Sequence, residues 1–167
     1  NNGIPFSYCH SSKSCSNELG ELGRTGDPYK ILPITIVDHD KSIIASHAYT
    51  GGLSSSGHSA IIDNHGYLWL CGCDRWQQLG LGSSSGGATG YTWQGGRLWQ
   101  TQFQKNDHVI ELLQQLDPNL GTMKKLGNNS SSRRWIRDVA LGGDHTIILS
   151  SNKKDVITFG KCGEGQL

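Results

Sequence analysis

One pattern recurs along this chain and constrains its fold more than any bulk property does. It runs Gly57-His58-Ser59-Ala60-Ile61-Ile62, then Asp63-Asn64-His65-Gly66, then Tyr67-Leu68-Trp69-Leu70-Cys71-Gly72, and closes on Gln78-Leu79-Gly80-Leu81-Gly82. It returns as Gly143-Asp144-His145-Thr146-Ile147-Ile148-Leu149, a polar stretch from Ser150 to Lys154, then Val156-Ile157-Thr158-Phe159-Gly160, and closes on Gly165-Gln166-Leu167. The tail of an earlier copy stands at Gly20-Glu21-Leu22-Gly23. Repetition of this kind marks a supersecondary unit that cannot bury its apolar face alone and must stack on its neighbour.

Each unit reads as a hairpin. Two runs rich in β-branched and aromatic residues flank a polar turn, and Gly66 supplies the backbone freedom such a turn uses. A further apolar run precedes each His, at Ile43-Ile44-Ala45 and at 136–141, so a unit has at least three strands. A fourth is predicted from the segment after a Gln/Glu-Leu-Gly, for example Ile34-Thr35-Ile36-Val37. Four short antiparallel strands per repeat make a propeller blade. The 23 glycines in 167 residues, nearly twice the usual ~7%, fit a turn-rich β chain. The expected fold is therefore all-β: a partial β-propeller of two full repeats plus the tail of a third, with four-stranded antiparallel blades. The positions that carry the repeat are Gly57, His58, Gly72, Leu79 and Gly80, answered by Gly143, His145, Gly160 and Leu167.

The motif Leu recurs at 22, 79 and 167, so the second interval is 31 residues longer than the first. The division expected is an arm and repeat end at 1–26, a repeat at 27–82, an insertion at 83–132 and a second repeat at 133–167. The insertion opens on a flexible Ser/Gly stretch and continues with the aromatic residues Tyr91, Trp93, Trp99 and Phe103. A short helix follows over 107–116, with Val109, Leu112, Leu113 and Leu116 on one face, Asp107 as its N-cap and Asp117-Pro118 as its stop. A helix this short is marginal alone, so that face must dock. Two destinations stand open: the chain's own sheets, or a partner that would meet Trp93, Trp99, Phe103, Val109, Leu112, Leu113 and Leu116.

Charge narrows the function classes. Fifteen Lys and Arg against 14 Asp and Glu leave a formal charge of +1, without the basic footprint of a nucleic-acid binder. The nearest basic cluster, Arg133, Arg134 and Arg137, reads as a solvated loop. Five unevenly spaced cysteines argue for reduced thiols in an intracellular compartment rather than a disulfide framework. No apolar run is long enough for a transmembrane helix. The start at Asn1 and the stop within a repeat predict a processed or partial chain.

The combined pattern resembles the repeat of the regulator-of-chromosome-condensation family: apolar strand, Gly, His-Ser/Thr, apolar strand, polar turn, aromatic strand with Gly, then Gly-Gln-Leu-Gly. The resemblance covers about residues 15–82 and 133–167. It implies blades of a ring with about seven in all, more than 167 residues supply. Gln77 and Cys162 depart from it, standing where small residues are usual.

His58 and His145 hold the same place in both repeats, which favours a structural hydrogen-bonding role, since catalytic sites are seldom duplicated blade by blade. Cys71-Gly72-Cys73 lacks the spacing of a zinc knuckle and reads as small apolar packing. No nucleophile elbow, phosphate loop or dinucleotide fingerprint is present. The reading is a non-catalytic protein–protein interaction or scaffold module, an accessory subunit of a larger assembly, with other protein subunits as partners and no cofactor, metal or small-molecule substrate. The alternative that the resemblance implies is guanine-nucleotide exchange on a small GTPase.

Overall fold

The computed structural model describes residues 6–7, 22–24, 27, 30–34, 36–38, 41–52, 56–81, 91–94, 97–120 and 135–167. Twelve strands and one helix fall within them. Two short pairs come first: β1 (Phe6–Ser7) with β2 (Leu32–Pro33), and β3 (Val37–Asp38) with β4 (Lys41–Ser42).

The first large sheet contains β5 (Ala45–Gly51), β6 (His58–Asp63), β7 (Leu68–Cys73), β8 (Tyr91–Gln94) and β9 (Arg97–Lys105) in the order β5-β6-β7-β9-β8, antiparallel throughout. Every residue of β6 and β7 is buried, because both faces of this sheet are covered. Period-two alternation divides them. Ala60, Ile62, Leu68 and Leu70 enter one core, while Ile61, Trp69 and Cys71 enter another with Ile34, Ile36 and Phe103. The tight turn between β6 and β7 is held by Asp63, whose carboxylate accepts from the backbone N–H of His65 (2.8 Å) and Tyr67 (2.9 Å) and from Trp69 Nε1 (3.0 Å).

The second sheet is the three-stranded β10 (Ile136–Leu141), β11 (His145–Ser150) and β12 (Val156–Gly160). The two sheets superpose by register. His58 faces Gly72 across its hairpin as His145 faces Gly160. Cys73 N–H donates to Gly57 O as Lys161 N–H donates to Asp144 O. The first strand of each sheet, which also forms one of its edges and is called its inner strand, carries the same irregularity, a register shift at Ala45/His47 in β5 and at Ile136/Asp138 in β10. Mostly antiparallel β-structure arranged in repeated blades with one short helix is what the repeat led us to expect.

Two local expectations are corrected. The outer neighbour of β7 is β9, from 97–105, and not the 34–37 segment. That segment instead places Ile34 and Ile36 flat against the sheet face. The helix α1 (Asp107–Leu116) has the expected span, but its N-cap is Asn106: the Asn106 side chain accepts from Val109 N–H, while Asp107 lies in the first turn. Its buried residues are Val109, Ile110 and Leu113, with Leu112 half-buried and Leu116 59% exposed. The buried face is rotated by about one residue relative to the sequence reading, because the helix leans into the groove between the two sheets.

That groove holds the main core. Ile62, Leu68, Leu70 and Leu79 of the first unit, Val109, Ile110 and Leu113 of α1, and Ile136, Val139 and Ile148 of the second unit form one cluster. Both ends of the helix are fastened. Asn106 Nδ2 donates to Leu79 O (2.7 Å) and Gly80 O (3.2 Å), and Asn152 Nδ2 donates to Asp117 Oδ2 (3.2 Å).

Candidate functional site

The residues that recur in the repeat meet at the boundary between the two blades. His58 is 1% exposed, and its Nε2 lies 3.2 Å from Thr146 Oγ1 of the next blade. The Thr146 hydroxyl donates to Gln78 O at 2.7 Å, so the imidazole supplies the hydrogen to Thr146 and a three-member relay joins the blades. Burial lowers the His58 pKa, opposed by the Ser56 carbonyl 3.2 Å from Nδ1 and by the charge of Asp144. The ring is a strut: its two nitrogens face the Ser56 carbonyl and the Thr146 hydroxyl, both groups of the chain itself. The blade boundary is reinforced by Ser56 Oγ donating to Gly143 O (2.9 Å) and by Gly80 lying beneath the Phe159 ring. His145 packs against Gly142 and is half-buried, and Leu167 is half-exposed at the end of the second copy.

The cysteine pair is apolar packing. Cys71 lies with Trp69 and Phe103, and Cys73 with Trp99. Burial pushes the Cys73 thiol up, away from the thiolate that a metal requires. Cys9, Cys15, His10 and the Arg133-Arg134 pair lie outside the described residues.

The partner-facing expectation for the insertion is corrected at four residues. Trp99, Phe103, Val109 and Leu113 are buried within the chain, so their surface is unavailable to a partner. The first two lie on β9, a blade strand, and the other two on the core face of α1. Leu112 is half-buried, Leu116 is exposed, and the side chain of Trp93 lies outside the described residues.

The exposed surface has different residues. Trp76, 40% exposed, follows the end of β7, with the Arg75 guanidinium 5.1 Å and the Lys161 ammonium 5.7 Å from its ring centroid. Lys161 belongs to the second unit, so this cation–π cluster also crosses the blade boundary.

On the inner strands a cleft of about 320 Å³ is lined by His47 and Tyr49 of β5, Arg137 and Asp138 of β10, and Ser151. Tyr49 Oη donates to Asp138 Oδ1 at 2.7 Å. Burial, that hydrogen bond and the carboxylate's charge push the Tyr49 pKa up to about 12, and the same hydroxyl holds Asp138 below the usual carboxylate range. The rings of His47 and Tyr49 stack with centroids 6.5 Å apart. Sequence reasoning missed this site because β5 and β10 are 91 positions apart and their polar residues carry no motif. The paired irregularity in the two strands is legible only once the register is known.

No protein-family model and no curated protein matches the chain in sequence. Solved structures do match in shape. The yeast RCC1 protein Prp20, solved bound to Kap60, superposes with a TM-score of 0.57 at 16% identity, covering 87% of this chain and 27% of that one. The fold is an arc of an RCC1-type β-propeller. Prp20p from Saccharomyces cerevisiae, described with its binding properties to Gsp1p and histones, gives a TM-score of 0.53 at 15% identity over 96% of this chain and 27% of that one. The RCC1-type arc thus spans about a quarter of the length of these neighbours. Within this arc the His58–Thr146 contact joins one blade to the next.

Proposed function

We propose that this RCC1-type arc is a non-catalytic protein-interaction module, an accessory or scaffold part of a larger assembly. The observation that carries the reading is the burial of His58 in a blade-to-blade relay with Thr146 and Gln78. The repeated polar residues hold blades together, and what remains outward is a mixed surface of aromatic and charged groups at Trp76 and at the inner-strand cleft. Such surfaces recognise proteins through aromatic and Arg anchors. The solved neighbours, named with Kap60, Gsp1p and histones, are likewise protein binders, which supports the class of partner without naming it.

The test is crosslinking mass spectrometry on native material through Lys105, Lys154 and Lys161. Crosslinks to other subunits of a stable complex are the expected result. Crosslinks confined to one ring, together with a co-purifying small GTPase whose nucleotide release the protein accelerates, would replace the scaffold reading with nucleotide exchange, the alternative that the binding of Prp20p to Gsp1p favours.

A further inference from the structure

We propose that the cleft between the inner strands takes a carboxylate presented by an acidic segment of a protein partner, with Arg137 as its anchor. This rests on the interaction-module reading and goes further by assigning a site and a ligand chemistry.

The same bulge occurs in both strands that line the cleft. A bulge sets two residues against one and re-aims side chains. Here it leaves consecutive residues exposed together, Ser46 and His47 in β5 and Arg137 and Asp138 in β10. At the other end of the two strands Gly51 packs so closely on Leu141 that an added Cβ would lie 2.3 Å from the Leu141 Cβ. The strands touch at that end, and the cleft lies toward the bulged one.

Hydrogen-bonding capacity in the cleft is unevenly taken up. Asp138 Oδ1 already accepts from the Tyr49 hydroxyl (2.7 Å) and from the Val139 N–H (2.9 Å). The Arg137 guanidinium and the Ser151 hydroxyl line the same cleft and make no hydrogen bond or ion pair to a described residue. Two donor groups without a partner among the described residues, one of them a planar cationic fork, match a carboxylate in shape and charge. The stacked His47 and Tyr49 rings offer a flat wall for the methylenes of a Glu side chain. The Tyr49 hydroxyl is spent on Asp138, so the donors left in the cleft are those of Arg137 and Ser151, enough for the two oxygens of a carboxylate and fewer than the acceptor oxygens of a phosphate.

The experiment is fluorescence anisotropy on the full chain, with a labelled hexaglutamate peptide, the matching hexaglutamine peptide, and inorganic phosphate as competitor. The expected result is at least tenfold tighter binding of hexaglutamate than of hexaglutamine. Arg137→Gln should erase that preference, Ser151→Ala should reduce it several-fold, and Lys154→Gln, an exposed cation that does not line the cleft, should leave it intact. Circular dichroism establishes that each variant is folded, and two cleft variants keep the test decisive if one is not. Equal binding of the two peptides, an unchanged preference in Arg137→Gln, or its loss in Lys154→Gln overturns the assignment. Displacement by phosphate at the concentration of the peptide overturns the carboxylate specificity. Partner crosslinks that persist while hexaglutamate fails to bind would sink this site and leave the interaction module standing.

Discussion

Glycine is demanded at 72 and 160 by the backbone across the hairpin. Both have φ near +110° (106° and 119°), and a Cβ at either would lie within about 2.5 Å of a carbonyl oxygen, that of Gly57 or of Asp144. The repeat therefore conserves a close approach between strands, and the His opposite supplies the Cα that presses on it. Gly160→Ala should cost at least about 1–3 kcal/mol from backbone strain alone, read from urea unfolding. Gly163→Ala meets no atom within 4 Å and should change stability by less than about 0.5 kcal/mol. Equal effects of the two substitutions would refute the close-approach account. Tyr49 couples stability to alkaline pH. Its folded pKa, about 12, lies above the ~10 of an unfolded tyrosine, so the folded state favours the protonated phenol. Its contribution is complete below pH ~10 and is lost as pH rises from ~10 toward about 12. Asp138 works in the opposite sense: held low, it contributes above the unfolded carboxylate value and that contribution fades as pH falls through the depressed one. Melting temperature against pH should show the alkaline loss in the wild-type chain and less of it in Tyr49→Phe. An identical slope between pH 10 and 12 in both would show that the contact is not responsible.

Among the elements, α1 decides how the two blades become one body. Its buried face belongs to the shared core, its N-cap Asn106 ties it to the Leu79-Gly80 turn, and Asp117 ties it to Asn152 of the second blade. Asn106 is fully buried with its amide and carbonyl both engaged, so it serves as cap and clamp at once. Removing Leu113 opens a cavity between the blades, and Leu113→Ala should cost about 2–5 kcal/mol. Leu116 lies on the same helix but faces outward, and Leu116→Ala should stay within about 0.5 kcal/mol. Chemical denaturation of the two variants checks this; comparable losses would mean that the helix face has been assigned wrongly. β9 carries the companion lesson. It takes the outer edge of β7, with Asn106 N–H continuing the ladder onto Leu68 O (2.8 Å), and so completes the first blade from within the 83–132 segment.

For the whole molecule, the two blades differ at their outer edges. β7 is covered by β9, whereas β12, its counterpart by register, pairs only with β11 among the described residues. Val156 on that edge is exposed. An uncovered edge strand with an apolar side chain is a template for pairing with another chain. Sedimentation velocity should therefore show concentration-dependent association of the 167-residue chain, reduced by Val156→Lys with stability unchanged. Association that is insensitive to the substitution would place the contact elsewhere, for example on the Trp76 cluster.

The local chemistry of the repeat was readable from residues alone. The spacing of Gly, His, apolar runs and Gln-Leu fixes hairpins, because alternation and turn chemistry act over a few residues and do not depend on what packs against them. The span of α1 was readable for the same reason, from its 3.6-residue period and the stop at Asp117-Pro118. Which face of the helix is buried was not: Ile110 displaces Leu116 because the groove between two blades sets the rotation, and that groove exists only after both blades form. The outer strand at 97–105 carries no repeat signature, and only the free edge of β7 recruits it. The inner-strand cleft belongs wholly to the tertiary level, since it joins His47 and Tyr49 to Arg137 and Asp138, with Tyr49 and Asp138 separated by 89 positions. Local sequence determined the units; the packing of one unit on the next decided which residues became core, strut and surface, because burial is a property of pairs of elements and not of either one alone.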